Sequence, residues 1–237
     1  MSVIEARRPR VLAVIPAYNE EENIASTIED LRHNAPGVDY LIVDDGSTDS
    51  TAAICAERGF SHVSLPVNLG LAGAFQTGMR YALERDYDYA VQFDADGQHA
   101  ATYILPMVRE AEEAGADIVI GSRFCTQKKP LSARMAGSVI IGAMVRLTTG
   151  KRINDPTSGM RLFDKDMIRR FALKFDYSPE PDTVVLAMRS GAKVSEMQVE
   201  MRERVAGESY LNFTKSISYM LRACISILFV QWFRKEG

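Results

Sequence analysis

Between Val11 and Ser122, apolar runs of strand length alternate with segments of helical length, and several of those runs end in acidic or turn-forming residues. "VLAVIPAYNE" reads as a buried strand broken by Pro16, followed by a helix through "EENIASTIEDLRHN". "YLIVDDGSTDS" is a second strand closing on Asp44-Asp45-Gly46, with Ser47 or Thr48 placed to cap the next helix. "FSHVSLPVN" gives a short third strand, and "GLAGAFQTGMRYALER" a helix rich in small residues. "YDYAVQFDADG", "ATYILPMVREAEEAG" and "ADIVIGS" supply a fourth strand, a helix and a fifth strand. Apolar strands separated by helices of a dozen or so residues require parallel pairing, with helices covering both faces. The expected architecture is therefore an α/β, doubly wound, mostly parallel sheet. Its ligands belong at the carboxyl ends of the strands.

After about residue 122 the rhythm changes. "RFCTQKKPLSARMAGSVIIGAMVRLTTGK" holds a polar loop and a long helix, and "INDPTSGMRLF" reads as an irregular segment with turn chemistry. "AKVSEMQVEM" alternates like a half-buried strand. At the C-terminus Lys215, Ser218, Arg222 and Ser226 form a polar stripe on an otherwise apolar helix. No repeat or low-complexity linker divides the 237 residues. The organisation expected is one domain over residues 1–210, with an amphipathic helix over 211–237 that belongs to the same domain or anchors it at a membrane interface.

A net charge of −3 argues against binding a nucleic-acid backbone, which needs a basic face. Cys55, Cys125 and Cys224 are scattered, so neither a zinc site nor a disulfide framework is indicated and a reducing cytosol is expected. "MSVIEARRPR" has no apolar core of a signal peptide. The eleven uncharged residues between Arg222 and Arg234 fall short of the about 20 that a spanning helix needs.

Acids gather at two strand exits: Asp44 and Asp45 after the second strand, Asp94 and Asp96 after the fourth. Turn chemistry accounts for any one of them. Four carboxylates at the ligand edge of one sheet repel unless neutralised. A hard divalent cation with oxygen ligands, Mg²⁺ or Mn²⁺, relieves that repulsion while leaving room for substrate phosphates. Gln98 can add an amide oxygen, whereas His99 suits packing or orientation better than ligation. The glycines of "NLGLAGAFQTG" do not fit G-x-G-x-x-G, and they follow the third strand instead of the first. Close packing of a helix on the sheet explains them.

"IPAYNEEENI", "VDDGSTDST", "NLGLAGAFQTGM" and "FDADGQH", in this order and spacing, resemble the family 2 glycosyltransferases of the GT-A fold. Asp94-Ala95-Asp96 looks like their DxD motif. The resemblance implies a nucleotide-sugar donor and inversion at the anomeric carbon. It places Pro16, Ala17, Tyr18, Glu20 and Asn68 around the nucleotide and Asp44 or Asp45 on the base or ribose. Asp94, Ala95 and Asp96 would hold the metal–diphosphate, with Gln98 as a further metal ligand.

In the second half, "IGSRF", "LSARMAGS", "DPTSGMRLF" and "RERVAGESYL" resemble the polyprenyl-phosphate branch of that family. The resemblance implies that Arg123, Arg134 and Arg204, with Ser209, hold an acceptor phosphate. Arginine suits that task because its planar fork binds phosphate oxygens in pairs. Two departures point elsewhere. Tyr210 stands where that branch usually has lysine. "YSPEPDTVVL" places Glu180 and Asp182 where relatives that glycosylate hydroxyls carry a catalytic base. An ionised phosphate needs no base, whereas an alcohol does; the same acids also complement the positive end of a helix. The partners expected are a nucleotide sugar, a lipid-linked acceptor and the cytoplasmic face of a membrane, held peripherally. An oligomer is compatible with the sequence.

Overall fold

The computed structural model describes residues 7–127, 129, 133–174, 177–202 and 220–230. Its strands are β1 (Val11–Ala17), β2 (Asp39–Asp44), β3 (His62–Ser64), β4 (Tyr89–Gln92), β5 (Ile118–Ser122), β6 (Arg161–Asp164) and β7 (Val194–Gln198). Its helices are α1 (Ile24–Asn34), α2 (Thr51–Glu57), α3 (Gly70–Glu84), α4 (Ile104–Ala114), α5 (Ala133–Thr149), α6 (Lys165–Leu173) and α7 (Pro181–Arg189). The strands form one sheet in the order β3-β2-β1-β4-β6-β5-β7. Only β6 runs against its neighbours.

Period-two alternation decides what β1 buries on each face. Leu12 and Val14 enter a core shared with α3, α5, α6 and α7, where Phe75, Phe163, Phe171 and Tyr177 meet edge to face or tilted. Val11, Ala13 and Ile15 enter the opposite core, built with α1 and α4. A Cβ on Gly78 would lie 2.2 Å from Val14, so glycine lets α3 approach β1 that closely.

The strand does not break at Pro16 as the sequence suggested, and pairing continues to Ala17 opposite Asp44. The reason is directional. Val14 O accepts from Phe93 N–H on the β4 side, so Pro16, two residues on, turns its missing N–H to that side. The β1–β4 ladder has already ended there, at Val14 and Gln92.

Two further expectations change. Ser47 and Thr48 do not cap α2, whose N-cap is Ser50 without a side-chain bond. They tie to Asn19 instead. The end of "INDPTSGMRLF" is a strand, with Arg161 paired to both Gln92 and Ile120.

Asp164 ends β6 and caps α6, its carboxylate accepting the Met167 N–H at 2.8 Å. Burial, then the nearby Asp117 and Asp166 charges, push its pKa up to about 6, against the lowering effect of the Met167 bond. The folded protein therefore keeps this proton to a higher pH than the unfolded chain. The resulting stability is complete below the ordinary value of 3.8 and is lost as pH rises through about 6. Asp164→Asn keeps a capping oxygen and removes the charge. The Tm difference between variant and wild type is expected to grow in the variant's favour as pH is raised from about 4.5 to about 7. Parallel pH profiles would remove Asp164 as the cause.

Candidate active site

The six parallel strands and the start of β6 bring seven loops to one edge of the sheet. On the β1–β2 side, "YNEE" and "STDST" are sewn together. Asn19 N–H donates to Ser47 Oγ, Thr48 N–H to Asn19 Oδ1, Glu20 N–H to Thr51 Oγ1, and Ser50 N–H to the Glu21 carboxylate. Pro16 and Ala17 end the strand below this clamp. Tyr18 stands 45% exposed above it, and Glu20 is half-buried with Asn23 Nδ2 on its carboxylate.

Asp44 and Asp45 are both buried. Asp44 Oδ1 accepts from Ser47 N–H, and Asp45 Oδ1 takes the Leu69 N–H at 2.7 Å. Gly46 makes this possible: its φ is +71°, and a Cβ would lie 2.9 Å from the backbone of Val67 and of Asn68. Asn68 is exposed and closes its own turn by accepting from Gly70 N–H. Tyr18, Val67, Leu69 and Leu71 give this half of the edge an exposed apolar rim.

The Asp94–Gln98 loop occupies the centre. Asp96 is buried and accepts from Gln98 N–H at 3.0 Å, while the Asp94 side chain remains 35% exposed and accepts from Gln92 Nε2. Ala95 is buried, and its carbonyl receives Thr27 Oγ1–H from α1. His99 is buried against Phe93. Its Nδ1 accepts from Asp94 N–H at 2.9 Å, which leaves the ring proton on Nε2, 3.5 Å from Asp94 Oδ2. His99 thus orients Asp94. Gly159 completes the cradle, since a Cβ there would lie 2.8 Å from Asp94 Oδ2 and 3.4 Å from the His99 ring.

Residues 155–160 are held in place from several sides. Arg123 grips the fully buried Asp155 with Nε at 2.7 Å and Nη2 at 2.8 Å, a pairing the sequence did not reveal. Glu196 accepts from the Asn154 and Asp155 backbones, Ser158 donates to Gly121 O, and buried Arg161 donates to Pro156 O. Lys129 lies beside this group, bonded to Ser138 Oγ; burial lowers its pKa from the usual range, with Asp155 opposing the change. A cavity of about 530 Å³ opens next to it, walled by Phe124, Val139, Gly142 and Ala143 and edged by Arg146 and Arg152.

Arg134 falls in the first turn of α5; its side chain, and all of Arg204 and Ser209, lie outside the described residues. The chain towards Arg204 does depart from the centre of the site, because Arg202 N–H donates to Gln98 O at 2.9 Å. Glu180 is the N-cap residue of α7. Asp182, in the first turn, accepts a 2.5 Å bond from Ser226 Oγ of the C-terminal segment. Sequence reasoning missed Asp30, which holds both Ala101 N–H and Arg202 beside the central loop. No local pattern marks it.

An acidic centre, a clamped loop pair and a cationic flank on the carboxyl edge of a mixed α/β sheet define a GT-A-like transferase site. Residues 12–174 match the family model described as Glycosyl transferase family 2, and the chain belongs to that family. It is a nucleotide-sugar-dependent glycosyltransferase. It is 36% identical to the undecaprenyl-phosphate mannosyltransferase of Micrococcus luteus, over 86% of this chain and 88% of that protein. It is 32% identical to the polyprenol monophosphomannose synthase of Mycolicibacterium smegmatis, over 86% and 81%. The fold matches glucosyl-3-phosphoglycerate synthase of Mycobacterium tuberculosis in complex with Mn²⁺, UDP and glucosyl-3-phosphoglycerate. That match has a TM-score of 0.68 at 20% identity, covering 97% of this chain and 82% of the other.

Proposed function

We propose that the protein moves a sugar from a nucleotide sugar to a polyprenyl phosphate, with inversion, at the cytoplasmic face of a membrane. The observation that carries the reading is the division of one sheet edge. Its centre is acidic, through Asp94 and Asp96, and its flank is cationic, through Lys129, Arg146 and Arg152 around the cavity beside the Arg123–Asp155 pair. The names of the two bacterial relatives support the acceptor class. Among the described residues no helix is long and apolar enough to cross a membrane, so attachment is read as peripheral.

The donor set at the centre fits Mg²⁺ or Mn²⁺. Asp94, Asp96 and the Gln98 amide offer hard oxygens. Mg²⁺ bound by one or two carboxylates is ordinarily completed by substrate phosphates and water. When bound, such a cation would neutralise the charge of the departing diphosphate. Asp44 and Asp45 would read the base or ribose, with Pro16, Ala17, Tyr18, Glu20 and Asn68 around the nucleotide. Arg123, fixed by Asp155, would join Arg134, Arg204 and Ser209 on the acceptor phosphate. An ionised phosphate oxygen attacks the anomeric carbon as the bond to the diphosphate breaks, and no base is required.

The direct test offers a panel of nucleotide sugars to the purified protein, with either a polyprenyl phosphate or the matching polyprenol. A phosphodiester-linked product of inverted configuration, from the phosphate alone, is expected. Transfer to the alcohol alone would overturn the acceptor. A second test concerns the cradle. Gly159→Ala should displace Asp94 and weaken Mn²⁺ affinity about 10-fold or more while the melting profile stays cooperative. Unchanged Mn²⁺ titration would detach Asp94 from the metal.

A further inference from the structure

We propose that α5 and the C-terminal segment 220–230 form one docking face for an anionic lipid bilayer, an inference that builds on the lipid-phosphate acceptor above. On α5, Val139, Ile140 and Leu147 are more than half exposed, Leu147 to 72%. With Ala143 and Arg146 they fall on one face at helical spacing. In the C-terminal segment Leu221, Ile225 and Phe229 repeat every four residues, each more than half exposed, with exposed Arg222 beside them.

The two stripes belong to neighbouring elements of one layer. Ile141 and Val145 of α5, and Ala223 and Ile227 of the segment, enter the same core. A Cβ on Gly137 would lie 1.5 Å from Met220 Sδ, so glycine lets the two elements touch. Their inner faces share one core and Gly137 meets Met220, so the two elements lie side by side, with their outer faces joined in the proposed surface. Six large apolar side chains exposed together mark an interaction site.

Charge identifies the occupant. No acid occurs from Ala133 to Arg152 or from Met220 to Val230, while Arg146, Lys151, Arg152 and Arg222 all occur there, in a chain of net charge −3. The only charged residues these two segments carry are cations, and Asp182, the acid that meets them, is engaged by Ser226; such a face suits acyl chains beneath anionic headgroups. A second copy of the face would set cation against cation. The cavity supplies continuity with the site, because Val139, Ala143 and Arg146 belong both to the face and to its wall. A lipid phosphate rising from the bilayer would meet Lys129 there.

Flotation with phosphatidylcholine vesicles, with and without phosphatidylglycerol, tests the face. Wild type should bind the anionic vesicles and release in salt. Leu147→Glu and Ile225→Glu should each weaken binding about 10-fold. Both variants should still glycosylate a water-soluble short-chain prenyl phosphate, and fail with a long-chain acceptor held in vesicles. Arg146→Gln with Arg222→Gln, a milder change, should abolish the preference for phosphatidylglycerol. Flotation of all variants like wild type overturns the proposal. So does a wild-type dimer that Leu147→Glu splits while vesicle binding persists. A wild type that glycosylates neither acceptor, yet floats where the Glu variants do not, upholds the face and removes the acceptor reading instead.

Discussion

Asp96→Ala is expected to abolish the metal dependence of nucleoside diphosphate binding and to lower turnover by about 10²-fold or more. Asp96 is chosen over Asp94 because of how each is held. Asp94 shares its carboxylate with Gln92 and faces the His99 ring, an arrangement that orients it as an assisting group. Asp96 is buried at the tip of the central loop and closes the turn that presents Gln98. On the proposed reading, departure of a nucleoside diphosphate would develop negative charge at this point of the edge, and losing a metal ligand there would act mainly on the transition state. Calorimetric titration of the diphosphate, for wild type and variant, with Mn²⁺ and with EDTA, gives four affinities. Only wild type with Mn²⁺ should bind tightly. Four equal affinities would end the metal hypothesis. Asp96→Asn, nearly isosteric, guards against a folding artefact and should behave like the alanine variant.

What the sequence disclosed and what it hid follow a physical division. The parallel core was legible because it is built from local runs, such as "VLAVI" and "ADIVIGS", whose burial on both faces leaves no polar alternation. The acids at the ends of β2 and β4 stood out because four carboxylates gather at one edge, although Asp44, Asp45 and Asp96 each also accept a backbone N–H there. Strand β6 was hidden: it is four residues long, and it starts on Arg161, a buried cation that donates to Pro156 O. The sequence around it carries the turn residues of "DPTSG" instead of a strand's alternation. Ser47 and Thr48 looked like caps because they precede a helix, but Asn19, 28 and 29 positions away, outcompetes the helix end for them. Arg123 with Asp155, and Gly159 with the Asp94–His99 pair, are likewise contacts between distant loops. Neither periodicity nor spacing encodes them.

Arg204→Ala should cost the enzyme far more than Asp182→Asn, and the pair decides the chemistry of the acceptor. If the nucleophile were a sugar hydroxyl, a carboxylate would have to take its proton, and losing that base would lower turnover about 10²–10⁴-fold. Donor affinity would stay unchanged, since the central loop is untouched. The structure gives Asp182 another task. In the first turn of α7 it meets the positive end of the helix, and its 2.5 Å bond to Ser226 ties α7 to the segment that carries Ile225 and Phe229. Asn can keep a bond to Ser226, so Asp182→Asn is expected to change turnover by less than about 10-fold. Arg204 lies outside the described residues, two positions beyond Arg202, whose N–H donates to Gln98 O, and its role on the acceptor phosphate is the proposal under test. If Arg204 holds that phosphate as proposed, removing its guanidinium would delete charge-assisted contacts and cost about 10–10²-fold in turnover over KM, with KM for the lipid bearing most of the loss. Steady-state kinetics with the phosphate acceptor, varied at saturating donor, separates the outcomes. A severe Asp182→Asn beside a mild Arg204→Ala would make the acceptor a hydroxyl and Asp182 its base.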